Sequence, residues 1–155
     1  MVCCGFWIDP KGKKAGKPGY GYLSRKEAML SLTNIFSSVK GYTWNKGYKT
    51  RIVRQNKMEF VSDLAFMEDQ IFNVKYLSLS EGFYYTSKPY YHYFQRSDSM
   101  VHDLNPKKIP DNFRANYRVW DGIIKTLVRD ADEQKKAAAA AKKIAKDQNQ
   151  NESLI

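Results

Sequence analysis

An aromatic run in the middle of the chain constrains the fold more than any other segment. Residues 82–94, GFYYTSKPYYHYF, carry tyrosine and phenylalanine at the density typical of strands. Residues 68–80 carry apolar side chains on more than one side of a helical projection, which predicts a well-buried helix. Pro89 cannot donate a hydrogen bond to a neighbouring strand, so we predict that it divides the run into two short edge strands. A buried helix leading into such strands favours an α/β fold of short mixed strands packed with helices.

The N-terminal third adds one strand, one loop and one helix. Residues 2–8, VCCGFWI, form an apolar run rich in strand formers, and residues 9–21, DPKGKKAGKPGYG, have the composition of an exposed loop. Ser24 and Glu27 have the spacing of a capping box. The helix that they begin has apolar residues at helical intervals, at Leu32, Ile35, Phe36 and Val39.

The remaining segments predict two more helices and a tail. A loop at 41–49, GYTWNKGYK, precedes a short helix at 50–58. Asp111 can cap a later helix whose apolar seam would face the core, at Phe113, Tyr117, Trp120, Ile124 and Leu127. We therefore expect one domain over residues 1–129, followed by a solvated lysine- and alanine-rich helix and polar tail over 130–155.

The charge distribution limits the kinds of partner without choosing one. The net charge is +10, and residues 1–60 hold 12 basic side chains against 3 acidic ones. Such a surface attracts nucleic acid, anionic lipid head groups or a substrate diphosphate equally well. A basic non-catalytic module that binds nucleic acid or anionic membrane is therefore the alternative to any enzymatic function.

Cysteine usage and hydropathy indicate a location inside the cell. Cys3 and Cys4 are adjacent and are the only cysteines, so they support no disulfide framework and favour a reducing compartment. No segment approaches the roughly 20 apolar residues that span a bilayer, and the N-terminus lacks the regions of a signal peptide. We expect a cytoplasmic protein and leave open a peripheral contact with the membrane.

Glu68 and Asp69 are the first candidates for chemistry. Acidic residues in the first turn of a helix satisfy free amide groups and oppose the macrodipole, a stabilisation of roughly 0.3 to 1 kcal/mol each. Consecutive helical side chains diverge by about 100°, so one carboxylate can cap the helix while its neighbour faces a cleft and accepts a proton. The residues alone leave both readings open.

Two further groups carry polar or aromatic side chains. His92, Arg96 and Ser99 follow the aromatic run and suit contacts with phosphate oxygens or a metal, or else His92 is merely hydrogen-bonded and Arg96 is a solvated charge. Trp44 offers a stacking surface and Lys46 a cation, or else they are a core residue and a surface residue. P-loop, zinc-site and GxSxG spacings are absent from the sequence.

Three segments in order resemble a known enzyme family. They are the tryptophan-x-lysine loop at 44–46, the Glu68–Asp69 pair followed by Phe72 and Asn73, and the lysine-proline-tyrosine strand leading to Arg96 and Ser99. Together they resemble the second half of the bacterial family 2 glycosyltransferases that build capsular and other surface polysaccharides or glycolipids. The likeness covers residues 2 to about 128.

The resemblance implies a fold, a reaction and a role for each residue. The fold would be the C-terminal, acceptor-side part of GT-A, and the reaction would move a sugar from a nucleotide diphosphate to an acceptor hydroxyl with inversion. Asp69 matches the catalytic base, and Glu68 keeps a capping and positioning role. His92, Arg96 and Ser99 match the donor diphosphate side. Trp44 and Lys46 match the loop that lines the sugar or acceptor side.

The same resemblance implies an incomplete enzyme. The nucleotide-binding half of the family and its aspartate-x-aspartate motif for Mg²⁺ or Mn²⁺ do not occur in these 155 residues. No metal ligand can therefore be assigned, and we expect a fragment that is inactive alone. Unpaired sheet edges would favour association with the missing half or with a second copy. The partners implied are a nucleotide-sugar donor and a saccharide or lipid-linked acceptor, with no nucleic acid.

Overall fold

The residues that the structure describes form an α/β arrangement of five strands and four helices. The computed structural model describes residues 1–15, 18–34, 36–37, 39–64, 66–95 and 109–152, with side chains through residue 145. The strands are β1 (Val2–Asp9), β2 (Lys13–Ala15), β3 (Tyr20–Leu23), β4 (Lys46–Gly47) and β5 (Phe83–Phe94). The helices are α1 (Arg25–Thr33), α2 (Thr50–Gln55), α3 (Glu68–Ser78) and α4 (Ile109–Glu152).

The sheet is mixed and centres on β1 and β5, the two longest strands. Its order is β2-β1-β5-β3, and β4 pairs with the start of β1. β1 and β5 are parallel, whereas β2, β3 and β4 are antiparallel to their neighbours. A parallel pair requires a long crossover, and residues 10–82 supply it.

The prediction that Pro89 divides the aromatic run is wrong, because β5 is continuous. Pro89 is aligned with Gly5 at an irregularity where the register between β1 and β5 shifts. A Cβ on Gly5 would lie 2.4 Å from the carbonyl oxygen of Ser87, so only glycine permits this close approach. On the other side of β5, β3 reaches only as far as Thr86, so Pro89 breaks no ladder there.

The prediction of a simple exposed loop over residues 9–21 is also wrong. β2 returns antiparallel to β1 after a turn that ends at Gly12, whose φ of +59° favours glycine. β3 begins at Tyr20 and pairs with the first residues of β5. Paired backbone therefore overrides the loop-like composition of this lysine- and glycine-rich segment.

The capping box of α1 is confirmed, but the helix is shorter than its apolar pattern suggests. The amide of Glu27 donates to Ser24 Oγ, and the amide of Ser24 donates back to the Glu27 carboxylate. The helix ends at Thr33 because Asn34 turns extended and its Oδ1 accepts from the amide of Phe36. Phe36 is 77% exposed, and Ile35 lies outside the described residues.

The core includes a face of α4 that the apolar seam did not predict. Phe113 and Tyr117 are 75% and 71% exposed, whereas Ala115 and Val119 are fully buried. Small residues on that side allow close packing, since a Cβ at Gly122 would lie 2.9 Å from a Val74 methyl group in α3. Other buried side chains of the core are Cys3, Phe6, Met29, Leu32, Phe72, Tyr76, Leu77, Phe83 and Ile123.

The chain divides into two compact units. Residues 1–123 form the first, which contains the whole sheet, and residues 124–155 form the second, which includes the rest of α4. The side chains of residues 131–145 are exposed. No helix among the described residues combines the length and the apolar character needed to cross a bilayer.

Candidate active site

The N-terminus of α3 presents Asp69 to the loop that precedes β4. The hydroxyl of Thr43 donates to Asp69 Oδ1 at 2.6 Å, and the amide of Thr43 donates to Asp69 Oδ2 at 3.2 Å. The carboxylate is half-buried, as is that of the neighbouring Glu68. Met67, just before them, has a φ of +65° although it is not glycine, a conformation that costs energy and is common where function fixes the backbone.

Further hydrogen bonds hold the loop at 41–49 on α3. Asn73 is fully buried; its Nδ2 donates to the carbonyl of Gly41 at 2.7 Å, and its Oδ1 accepts from the Tyr48 hydroxyl at 2.6 Å. One turn later, the hydroxyl of Tyr76 accepts from the amide of Lys49 at 2.8 Å. Side chains three or four residues apart share a face of a helix, so one face of α3 holds the whole loop.

Lys46 is a half-buried cation whose ammonium binds the backbone of the same loop and of the two residues before it. Its ammonium donates to the carbonyls of Val39, Lys40 and Tyr42 and to the side chain of Asn45. Burial lowers the pKa of Lys46 to about 8, although the charge of Asp69 acts in the opposite direction. Its contacts make Lys46 a positioning residue for the loop that holds Asp69.

The lowered pKa of Lys46 predicts a pH effect on stability. The unfolded chain holds this proton to about pH 10.5 and the folded chain only to about pH 8, so stability rises as pH rises through 8. Against a Lys46→Met variant, the free energy of unfolding of the wild type should gain about 1 kcal/mol between pH 7 and 9. Urea unfolding, monitored by tryptophan fluorescence at each pH, measures the free energy of unfolding of both proteins.

Comparing the two proteins below pH 9 isolates the contribution of Lys46 to the pH dependence of stability. Burial raises the pKa of the Cys3 thiol from 9.0 to about 11. Cys3 therefore lowers the stability of the fold only as the pH rises above about 9. The Met1 amine titrates in both proteins and its contribution cancels. A gap between the two proteins that stays constant or narrows from pH 7 to 9 would contradict the prediction.

Trp44 lies in a cluster of aromatic rings beside this loop. Its ring is 4.8 Å from that of Tyr42, 4.8 Å from Tyr91 and 5.0 Å from Tyr93, all stacked, and Phe6 packs edge-on at 4.7 Å. Tyr42 and Tyr91 are 39% and 37% exposed. The structure therefore places Trp44 inside an aromatic wall whose two outer tyrosines face solvent.

His92 lies away from this wall. Alternate residues of a strand face opposite sides of the sheet, so His92 points away from the side that Tyr91 and Tyr93 share. Its Nδ1 lies 2.7 Å from Asp9 Oδ2, and its ring stacks on Trp7. The structure thus brings Trp44, Lys46 and Asp69 into one loop–helix unit and leaves His92 on the other face.

The other two residues predicted for the diphosphate side, Arg96 and Ser99, lie outside the described residues. Within the described ranges, no group of three or more His, Cys, Asp or Glu side chains is arranged to hold a metal ion.

Sequence reasoning did not identify Thr43 or Tyr48 and gave no role to Asn73. Their signal is faint, because all three are common polar residues in ordinary positions. The spacing of Asp69, Asn73 and Tyr76 along one helical face could have indicated a polar face turned inward. No family model matches the chain, and neither does any curated protein sequence.

Proposed function

We propose that the chain is the acceptor-side part of an inverting glycosyltransferase of GT-A fold. The α/β architecture is compatible with such a part, in which a parallel strand pair carries the loop and helix that bear the site. The reaction would transfer a sugar from a nucleotide diphosphate to an acceptor hydroxyl in the synthesis of a surface polysaccharide or glycolipid. Asp69 would be the catalytic base.

The observation that carries the proposal is that the Asp69 carboxylate is held in a fixed orientation and is still accessible. Thr43 fixes both of its oxygens in orientation, yet each carboxylate oxygen can accept a second hydrogen bond. The group is only half-buried, so an acceptor hydroxyl can reach it. A base that is oriented before the substrate arrives lowers the entropy cost of the proton transfer.

In the proposed step, Asp69 takes the proton of the acceptor hydroxyl while that oxygen attacks the anomeric carbon. The bond between this carbon and the diphosphate oxygen breaks, and its electron pair leaves with the nucleotide diphosphate. Attack from the face opposite the leaving group inverts the configuration. A divalent cation, held by the donor-binding half that the resemblance implies, would neutralise charge on the diphosphate; the role proposed for Asp69 does not depend on it.

The aromatic wall supports a saccharide acceptor. Partly exposed tyrosine rings offer apolar faces and hydroxyl groups at the same place, which suits the mixed surface of a sugar ring. Tyr42 directly precedes Thr43, the residue whose hydrogen bonds fix the Asp69 carboxylate. Acceptor rings packed on this wall would therefore lie close to the proposed base.

The direct test is complementation. The chain is produced alone and fused behind the donor-binding half of a bacterial family 2 glycosyltransferase, and transfer from nucleotide-diphosphate sugars to saccharide acceptors is measured. We expect transfer only in the fused protein with Mg²⁺ or Mn²⁺ present. Fused proteins that fold and bind the donor but transfer no sugar to any acceptor would overturn the proposal.

A further inference from the structure

An unpaired basic patch surrounds the short helix α2. It consists of Lys49, Arg51, Arg54 and Lys57, which lie within nine residues that contain no acidic side chain. All four are exposed. In the part of the chain that the structure describes, none of the four has an acidic side chain within salt-bridge distance. By contrast, Arg118 near the start of α4 pairs with Asp63.

The backbone of the patch holds its cations outward. Arg51 and Arg54 are three residues apart and share a face of α2, while Ile52 and Val53 are half-buried. Lys57 has a φ of +45° at the end of the helix, where glycine is the usual residue. A lysine at a position that favours glycine adds a fourth exposed charge at a cost in backbone strain.

The patch suits a surface of phosphate groups. Clusters of four or more basic side chains bind the anionic head groups of lipids, each side chain contributing roughly fivefold to the partition. Phe60, three residues after Lys57, is 50% exposed, and an exposed phenylalanine beside basic residues suits a membrane interface. We propose that this face of the protein docks on an anionic membrane.

The composition of the patch favours lipid over nucleic acid. Single strands are bound where aromatic rings alternate with cations, since the rings stack on the bases. Residues 49–57 contain no aromatic residue, and Phe60 is already stacked on Phe72 with ring centroids 4.5 Å apart. A short helix whose charged side chains are all basic can lie on a flat anionic surface.

The test is sedimentation with vesicles of phosphatidylcholine alone or with about one third phosphatidylserine. We expect binding only to the anionic vesicles, and an Arg51→Ala/Arg54→Ala variant should lose roughly 30-fold in partition. Lys142→Ala/Lys143→Ala removes the same charge from exposed positions in α4 and is the matched control. Lys57→Gly, which relieves strain, should fold well and lose about fivefold.

Three outcomes overturn this proposal. They are equal binding to neutral vesicles, an equal loss in the α4 control, and tighter binding to single-stranded DNA with the same dependence on Arg51 and Arg54. The inference does not require the proposed enzymatic function. An Asp69→Asn variant should bind vesicles like the wild type, so failure here and failure of sugar transfer are distinguishable.

Discussion

Replacing Asp69 with asparagine in the complemented enzyme should lower the rate of sugar transfer by about 10²- to 10⁴-fold. Asparagine has nearly the same shape, and its one oxygen can still accept from the Thr43 hydroxyl although the bond from the Thr43 amide is lost. Asn73 and Tyr76 still bind the loop, so it should stay in place. The amide cannot accept the proton of the acceptor hydroxyl, however, and the attacking oxygen would have to lose it to water. Donor binding, measured by calorimetry with the nucleotide sugar, should remain within about twofold of the wild type.

The matched control is Glu68→Gln, which removes the neighbouring carboxylate from the same turn of α3. If Glu68 only positions the helix, this variant should retain most of its activity and lose roughly 0.3 to 1 kcal/mol of stability, the usual contribution of an acidic residue in a first turn. Comparable losses of activity in both variants would show that the charge of the turn matters rather than a base at Asp69. Full activity of Asp69→Asn would remove the base assignment.

The elements that local rules describe well were predictable from sequence. The capping box at Ser24 and Glu27 makes both of its hydrogen bonds, and α3 begins at Glu68 as its acidic first turn indicated. Both signals depend on residues within four positions of one another. Such short-range chemistry is the same in any fold, so no knowledge of tertiary contacts is needed.

The errors arise where distant partners decide the outcome. Strand β5 continues through Pro89 because Gly5, more than eighty residues earlier, allows the register to shift at that point. In α4, Phe113 and Tyr117 give the stronger apolar pattern, yet Ala115 is buried instead and Gly122 lies against Val74 of α3. Pattern strength measures how apolar a face is, whereas packing also depends on how close a neighbouring helix must come.

The sequence led to the candidate site only through the family resemblance, and the roles that it gives Asp69, Trp44 and Lys46 remain predictions. The partners of these side chains could not be inferred from the sequence. Thr43 reaches Asp69 across 26 residues of sequence, and the loop that makes this possible is held by buried polar groups. Nothing in the local sequence distinguishes a threonine that orients a carboxylate from one that faces solvent.

The second large effect concerns Asn73, whose replacement by alanine should cost about 3 to 5 kcal/mol of stability. The side chain is fully buried and satisfies the Gly41 carbonyl and the Tyr48 hydroxyl at once. Its removal leaves both groups without a partner, at roughly 1 to 3 kcal/mol each, and adds a small cavity. Urea unfolding of the wild type and the variant measures the difference.

Two comparisons separate the hydrogen bonds of Asn73 from a general effect of losing an amide side chain. Asn56→Ala removes an exposed asparagine and should cost less than about 1 kcal/mol. Tyr48→Phe removes only one partner of Asn73. In a protein that already carries Asn73→Ala, the cost of Tyr48→Phe should largely disappear, because Asn73 is the group that accepts from the Tyr48 hydroxyl. Burial of this hydroxyl, which also raises the pKa of Tyr48, makes the lost bond costly. Additive costs in the double variant would mean that the two side chains act independently and that α3 does not hold the loop through this pair.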